Sequence, residues 1–262
     1  MSTLPNSDAS INDLPDDKIE LIALLSHQIR GPLFNIRNAI TGMREDCEPR
    51  ASQYHALLAI IDRSTDRMVA LTERCLRLME LKDRRASLHE QQGDCLAELR
   101  HLIFRTVDSL SEENDLSSLH IETCIDKHVP QEALVQADSF LLEQALANLI
   151  ANAIQYGFSS SKTDLPNALI ELTFSAEENH YRIAVTDFGA GISESHKNLV
   201  FRPFYRIPSS TLLRKTGTGL GLSIVKTIVD SFGGSVGLES RQGQGSTFWF
   251  TLKAANNCAA EE

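Results

Sequence analysis

The stretch LLSHQIRGPL, residues 24–33, combines an amphipathic helical pattern with a histidine and, five residues after it, a proline. His27 stands two residues from both Leu25 and Ile29, about 200° around a helix from each, so its imidazole is expected to face solvent. Pro32 cannot donate a helical hydrogen bond, which predicts a bend one turn after His27. The expected buried face consists of apolar residues at steps of three and four, namely Ile22, Leu25, Ile29, Leu33, Ile36, Ile40 and Met43.

A second helical pattern covers residues 54–78 and repeats its apolar positions as an unbroken heptad seam. Residues 46–51 carry charges and Pro49, which predicts a turn between two antiparallel helices. Two helices cannot enclose both apolar faces, so residues 18–88 are predicted to form a helical hairpin that pairs with a second copy as a dimeric four-helix bundle. The alternative is a hairpin that packs on the second domain of its own chain. The seam consists of Tyr54, Leu57, Ile61, Ser64, Met68, Leu71, Cys75 and Leu78.

Length, charge and cysteine usage limit the class of protein. With 262 residues, of which 42% are hydrophobic, the chain is long enough for two domains with buried cores. The net charge of -10 argues against nucleic-acid binding, which favours a basic surface. The five cysteines are odd in number and never form a CxxC pair. Neither a disulfide framework nor a zinc site is therefore predicted, and a cytoplasmic location is expected.

Membrane spans and targeting signals are not predicted. No run reaches the roughly 18 to 20 apolar residues that a membrane span needs, and residues 1–17 have no signal-peptide core. Residues 1–17 and 255–262 are expected to be flexible. Because the leading segment is too short for a sensing domain, a separate sensor or a missing sensor domain is expected to detect any stimulus.

Residues 94–254 differ in pattern from the hairpin and follow a polar boundary segment at residues 82–93. Helical periodicity and strand-like alternation are mixed here, which predicts an α+β fold class. Asp138 is expected to cap one of the helices. The predicted helices cover 95–109, 139–156 and 218–232, and the predicted strands cover 119–125, 169–174, 181–187, 235–239 and 247–252.

Two asparagines form the first of three clusters that suit parts of a nucleotide. Asn148 and Asn152 are four residues apart, so both amides project from one face of the predicted helix, opposite its apolar stripe. Amide oxygens suit Mg²⁺, a hard cation that keeps waters and binds substrate phosphates. Taken alone, such a pair more often only lies on the solvent-exposed face of a helix.

The second cluster is DFGAGI, residues 187–192, directly after a predicted strand. The Asp187 carboxylate can accept a hydrogen bond from an exocyclic amine, and the glycines let a planar base approach the backbone closely. The plainer alternative is a turn that ends a strand. The letters DFG also occur in serine/threonine kinases, but the sequence has neither an HRD-type loop nor a VAIK-type lysine.

The third cluster is GTGLGLS, residues 217–223, at the start of a predicted helix. Backbone amides at a helix N-terminus attract phosphate, and glycines permit its close approach. The dinucleotide fingerprint is excluded because Leu222 stands where its third glycine would be, and a P-loop is excluded because its GK[ST] ending is missing. Residues 193–216 form a long loop before this cluster. Phe201, Phe204 and Tyr205 are its expected anchors.

Together and in this order, these stretches resemble the sensor histidine kinases of two-component systems. The resemblance covers residues 19–252 and rests on five motifs. SHQIRGPL resembles the phospho-acceptor box, LEQALANLIANAIQY the N box, DFGAGI the adenine box, FRPFYRI the F box and TGTGLGLSIVK the glycine-rich lid box. With all five motifs present, His27 is predicted to be a phospho-acceptor rather than an ordinary exposed helical histidine.

The resemblance implies a dimerising hairpin followed by an α/β sandwich of the histidine kinase, gyrase and Hsp90 type, which binds ATP under a mobile lid. It implies in-line attack of His27 on the γ-phosphorus, with Mg²⁺ held by Asn152, and transfer of the phosphoryl group to an aspartate of a separate response-regulator receiver domain. Arg206, Arg214 or Lys215 would neutralise the phosphates. The implied ATP-binding residues are Asn148, Asn152, Tyr156, Asp187, Gly189, Gly191, Ile192, Arg206, Lys215, Thr218, Gly219, Leu220, Gly221 and Leu222.

Three residues depart from the family's common pattern. Gln28 replaces the usual acidic residue after the histidine, so it can orient the imidazole as part of the catalytic site but cannot take its proton. Gly31 replaces a threonine or asparagine that many members use in dephosphorylation, and Gln155 replaces a basic residue of the N box. These departures leave open a weakly catalytic or non-catalytic nucleotide-binding dimeric scaffold that signals by binding. An ATPase that does not phosphorylate itself is disfavoured by the acceptor box.

Overall fold

The computed structural model describes residues 16–45, 51–90, 96–113, 119–157, 168–208 and 217–255. The chain divides into two compact units, Met1–Met79 and Glu80–Glu262. The first contains helices and the second mixes helices with strands, which confirms the predicted order of a helical hairpin followed by an α/β domain. Most of the two terminal segments that were predicted to be flexible, and the turn before residue 51, lie outside the described residues. The predicted domain limits of 18–88 and 94–254 stay a prediction.

The first unit contains helix α1, Asp16–Glu45, and most of helix α2, Ala51–Glu90. Helix α2 extends past Met79, where the first unit ends. Helix α1 continues through Pro32, and His27 is exposed as predicted. Near the end of α1, the Leu57 methyl groups lie 3.8 Å from the position that a Cβ would take at Gly42. This contact joins the C-terminal part of α1 to the N-terminal part of α2, as in a hairpin.

The heptad seam of α2 is partly covered within a single chain. Leu71, Cys75 and Leu78 are fully buried, and burial raises the pKa of the Cys75 thiol, which keeps that side chain neutral. The predicted buried face of α1 is not buried in a single chain: Leu33 and Ile40 are 50% and 40% exposed and the other five residues are only half-buried, whereas Leu21 and Ala39 are buried. Two helices share only one face, so further apolar surface is left uncovered in one chain, and it includes Phe34, Leu58, Val69 and Leu76.

Leu71 provides a test of the packing within the first unit. Its side chain is 0% exposed, so Leu71→Ala should leave a cavity and lower the free energy of unfolding by about 2–5 kcal/mol. Urea unfolding followed by circular dichroism, at one fixed chain concentration, measures the change. Arg67→Ala, at an exposed position one turn earlier in α2, is the matched control and should change stability by less than about 0.5 kcal/mol. Equal effects of the two substitutions would contradict the packing.

The second unit is a mixed five-stranded sheet with helices on one face. Strand order is β2-β4-β5-β7-β6, with β2 and β4 parallel and the other pairs antiparallel, while β1 and β3 form a separate two-stranded ladder. The elements are β1 Leu96–Glu98, α3 Leu99–Glu113, β2 Leu119–Ile125, β3 Leu134–Gln136, α4 Ser139–Tyr156, β4 Ala168–Glu177, β5 His180–Asp187, α5 Glu194–Lys197, α6 Gly221–Ser231, β6 Ser235–Arg241 and β7 Gly245–Lys253.

Helix α4 is the central element of the helical layer, in contact with α3, α6 and the sheet. Asp138 caps it as predicted, because its Oδ1 accepts hydrogen bonds from the backbone N–H groups of Phe140 and Leu141, at 2.9 and 3.2 Å. Its apolar stripe is buried together with inward-facing side chains of the sheet. These buried side chains include Leu142, Leu146, Leu149, Ile150, Phe174 and Phe250.

Two predicted helices begin later than expected. The helix predicted from residue 95 begins at Leu99, because residues 96–98 pair with β3 as a strand too short to show alternation. The helix predicted from residue 218 begins at Gly221, because Gly219 has φ +73°, a backbone conformation outside the helical region. Among the described helices, none is both long and apolar enough to cross a bilayer.

Candidate functional site

His27 lies on the exposed side of α1 and Gln28 beside it is half-buried. The helix around it is regular, and the neighbouring Ser26 donates its hydroxyl hydrogen bond to the Ile22 carbonyl at 2.8 Å. A Cβ added at Gly31 would meet no atom within 4 Å. The imidazole is therefore accessible to a reacting group, and the helix surface one turn later is open.

The C-terminal half of α4 carries the first polar cluster predicted from sequence. Asn148, Asn152 and Tyr156 follow one another at four-residue steps and are half-buried, so they share one helix face. The Asn148 amide donates to the Gln144 carbonyl at 2.9 Å. Its Oδ1 lies 3.3 Å from the position of a Cβ at Gly221. The first and third polar clusters predicted from sequence therefore meet at Asn148.

The glycines of the third cluster allow this close approach. A Cβ at Gly217 would lie 3.0 Å from the Tyr156 hydroxyl and 3.3 Å from Gln155 Nε2. A side chain at Gly217 would therefore displace the α4 side chains beneath it. Residues 217–220 lie against the polar face of α4 immediately before α6 begins, which places the amides of the α6 N-terminus beside Asn148.

Asp187 brings the second cluster to the same end of α4. It ends β5, is 3% exposed, and its Oδ1 accepts the backbone N–H of Gly189 at 2.9 Å. A Cβ at Gly189 would lie 2.3 Å from the Tyr156 carbonyl oxygen, and one at Gly157 would lie 3.0 Å from the Asp187 Cβ. Only glycine fits either position, so the buried carboxylate is fixed beside the last turn of α4.

The remaining residues of the second cluster lie against the turn between β6 and β7. Gly191 has φ +65°, and a Cβ there would lie 2.0 Å from the Arg241 carbonyl oxygen. The Ile192 N–H donates to the Ser240 hydroxyl at 2.8 Å, and the Gly243 N–H donates to the Ala190 carbonyl at 2.6 Å. These bonds fix the loop that the sequence assigned to the base edge.

The loop before the glycine cluster is anchored by aromatic side chains. Phe204 is 7% exposed, and Phe201 packs edge-on against Phe248 with ring centroids 6.3 Å apart. A Cβ at Gly219 would lie 2.8 Å from the Phe204 carbonyl carbon. Arg206 follows and is half-buried, whereas Arg214 and Lys215 lie outside the described residues.

Two family models match the chain. The His Kinase A (phospho-acceptor) domain matches residues 17–84, and the histidine kinase-, DNA gyrase B- and HSP90-like ATPase matches residues 137–256. The chain belongs to the sensor histidine kinases. The two matches separate the residues that were predicted to have different roles. His27 lies in the first matched domain, and the three polar clusters lie in the second.

Relatives in this family are similar over most of the chain. It is 30% identical over 241 residues to the sensor protein GacS of Pseudomonas syringae pv. syringae, covering 90% of this chain and 25% of that protein. It is 29% identical over 242 residues to the two-component system protein A of Emericella nidulans, covering 90% of this chain and 33% of that protein. The chain thus spans about a quarter to a third of the length of these curated relatives.

A solved histidine kinase, AdeS of Acinetobacter baumannii, has the same fold. The TM-score is 0.57 at 20% identity, with 88% of this chain and 98% of that chain covered. This similarity supports the architecture of a hairpin followed by an α/β domain.

Several residues of the second unit that lie at this site were not predicted from the sequence. A Cβ at Gly157 would lie 3.0 Å from the Asp187 Cβ, a Cβ at Gly245 (φ +91°) would lie 2.0 Å from the Asp187 carbonyl oxygen, and the Ser240 hydroxyl accepts the Ile192 N–H. Gly157 carried a local signal, because it directly follows the helix that ends at Tyr156. Ser240 carried none, since its partner is 48 residues away in sequence.

Proposed function

We propose that this chain uses ATP to phosphorylate His27 and that the phosphoryl group then passes to an aspartate of a separate receiver domain. The observation that carries the proposal is that Asp187, Gly217 and Gly221 lie against the C-terminal half of α4, which carries Asn148, combined with an exposed histidine in the acceptor helix. A nucleotide site and an acceptor are the two parts that such a reaction requires.

The proposed chemistry is phosphoryl transfer to nitrogen. A ring nitrogen of His27 attacks the γ-phosphorus in line, the bond from that phosphorus to the β,γ-bridging oxygen breaks, and ADP leaves with the electron pair. Gln28 would hold the imidazole by a hydrogen bond. Because there is little covalent work for the protein in this reaction, positioning and neutralisation of charge provide most of the catalysis.

The nucleotide would be held from both ends. Asp187 would accept the exocyclic amine of adenine, while Gly189, Gly191 and Ile192 would line the base. Residues of the glycine cluster and of α4 would surround the phosphates, helped by Arg206 and by Lys215. These phosphate-side residues are Asn148, Tyr156, Thr218, Gly219, Leu220, Gly221 and Leu222.

Asn152 would hold Mg²⁺. Its amide is half-buried and lies one turn from both Asn148 and Tyr156, on the face of α4 that meets the glycine cluster. A single amide oxygen suits Mg²⁺, which keeps most of its waters and binds substrate phosphates instead of a full protein cage. When bound, the cation would neutralise the charge that develops on the phosphates.

One experiment distinguishes the proposed kinase from a nucleotide-binding scaffold and from an ATPase that does not phosphorylate itself. The purified chain is incubated with γ-labelled ATP, and both protein-bound label and released phosphate are measured. A kinase incorporates label into the chain and passes it to an added receiver domain. A scaffold binds ATP without either product, and an ATPase releases phosphate without labelled protein.

The scattered cysteines suit a reducing cytoplasm, where the proposed reaction would occur.

We also propose that the hairpin forms a homodimer. Val69 and Leu76 are 49% and 59% exposed and stand seven residues apart on α2, with Leu58 eleven residues before Val69 on the same face. Such a stripe of large apolar side chains is typical of a helix that needs a partner. A second hairpin would cover it and complete a four-helix bundle.

The double variant Val69→Glu, Leu76→Glu should convert the dimer into a folded monomer, because each protomer would otherwise bury two unpaired carboxylates in the interface. Light scattering at micromolar concentration gives the mass, and circular dichroism checks that the helices persist. Arg63→Glu with Arg67→Glu places two glutamates at exposed positions on another face of the same helix and should remain dimeric. A monomeric wild-type chain would refute the proposal.

A further inference from the structure

His196 holds the segment that leads to the glycine cluster at two points. Its Nδ1 lies 2.6 Å from the Tyr205 hydroxyl, and both side chains are half-buried. Its backbone carbonyl accepts the N–H groups of Leu199 and Val200, at 2.9 and 3.1 Å. One residue therefore fixes both the beginning and the end of the turns over residues 196–205.

The restrained segment contains a strained residue. Phe204 has φ +60°, in the left-handed region that a residue with a Cβ rarely adopts and that persists only when its surroundings hold it. On one side Phe204 is in contact with Gly219, where a Cβ would lie 2.8 Å from its carbonyl carbon. On the other side it is followed by Tyr205, which is bonded to His196.

We infer that the His196–Tyr205 hydrogen bond positions Arg206 toward the terminal phosphate of bound ATP. The inference rests on the proposed ATP site. Arg206 directly follows Tyr205 in the chain. The hydrogen bond holds the tyrosine ring, and the position of that ring determines the direction in which the backbone continues from the strained Phe204 to Arg206. His196 is thus a positioning residue, because it acts through Tyr205 and Arg206 and does not itself contact the nucleotide.

The bond does not require one protonation state of the imidazole. Nδ1 can accept from the tyrosine hydroxyl when it carries no proton and can donate to the hydroxyl oxygen when it does. The neighbouring charges Lys197 and Glu194 neutralise each other through an ion pair of 2.7 Å. The effect of His196 is therefore geometric, and the test is one of nucleotide selectivity.

Affinities for ATP and ADP, both with magnesium, separate the positioning role from a general loss of folding. His196→Ala and Tyr205→Phe should each weaken ATP binding about three- to tenfold, the effect of one lost hydrogen bond, and should change ADP binding less than about twofold, since ADP has no terminal γ-phosphate to contact Arg206. His196→Asn, whose amide can reach the hydroxyl, should restore most of the ATP affinity. In an Arg206→Ala background, His196→Ala should cause no further loss.

His180→Ala, at an exposed histidine of the second unit, is the matched control and should leave both affinities unchanged. Tyr205→Phe removes only a hydroxyl, so it keeps the test valid even where His196→Ala lowers the thermal midpoint. Equal losses for ATP and ADP, wild-type affinities in both variants, or a full additional loss in the Arg206→Ala background would overturn the positioning role. A wild-type chain that binds neither nucleotide would contradict the proposed function itself.

Discussion

His27→Gln is expected to abolish incorporation of the γ-phosphate label of ATP into the chain. Glutamine has no nucleophilic ring nitrogen that could attack the γ-phosphorus. The label on the wild-type chain should be labile in acid and stable in base, as expected for a phosphoramidate. Denaturing electrophoresis after each treatment measures both properties.

The control is a second exposed histidine of the same unit. His55 lies on α2 and is exposed like His27, so His55→Gln makes the same chemical change outside the acceptor helix and should keep wild-type labelling. Nucleotide affinity should be equal in both variants, since His27 belongs to the first unit. Label that survives in His27→Gln, or that resists acid, would show that another residue is phosphorylated.

Asp187→Asn is expected to weaken ATP binding by about 1–3 kcal/mol, or roughly 5- to 150-fold. The carboxylate is 3% exposed and its Oδ1 already accepts the Gly189 N–H at 2.9 Å. An asparagine can keep that bond only by turning its NH₂ group toward the adenine amine. Two donors would then face each other in a buried site, and the specific hydrogen bond would be lost. Isothermal titration calorimetry with ATP measures the change.

Asp138→Asn is the matched control for this substitution. Asp138 caps α4 through bonds to the N–H groups of Phe140 and Leu141, and asparagine caps a helix about as well as aspartate. The control should therefore bind ATP with wild-type affinity. If both variants give the wild-type titration curve, Asp187 does not recognise the base and the pocket has been assigned to the wrong residues.

Local pattern was enough to determine the helices, most of the strands and the identity of the chemical groups. The spacing of apolar residues around His27 was enough to predict that its imidazole is exposed, because residues three and four apart share a helix face wherever the helix lies. The capping of α4 by Asp138 is equally local. The clusters at Asn148, Asp187 and Gly217 were each ambiguous alone, and they were predicted to bind a nucleotide because together with two further motifs they resemble the boxes of the sensor histidine kinases.

Only the tertiary structure decided how these groups meet. The contact of Gly217 with Tyr156 and the packing of Gly189 on the end of α4 join residues that are far apart in sequence, and no local period encodes such a contact. Strands β1 and β3 have three residues each, too few for alternation to be detected. The φ of +60° at Phe204 and the bond from His196 to Tyr205 depend on tertiary packing and not on a local pattern, because a left-handed phenylalanine is stable only where its surroundings require it.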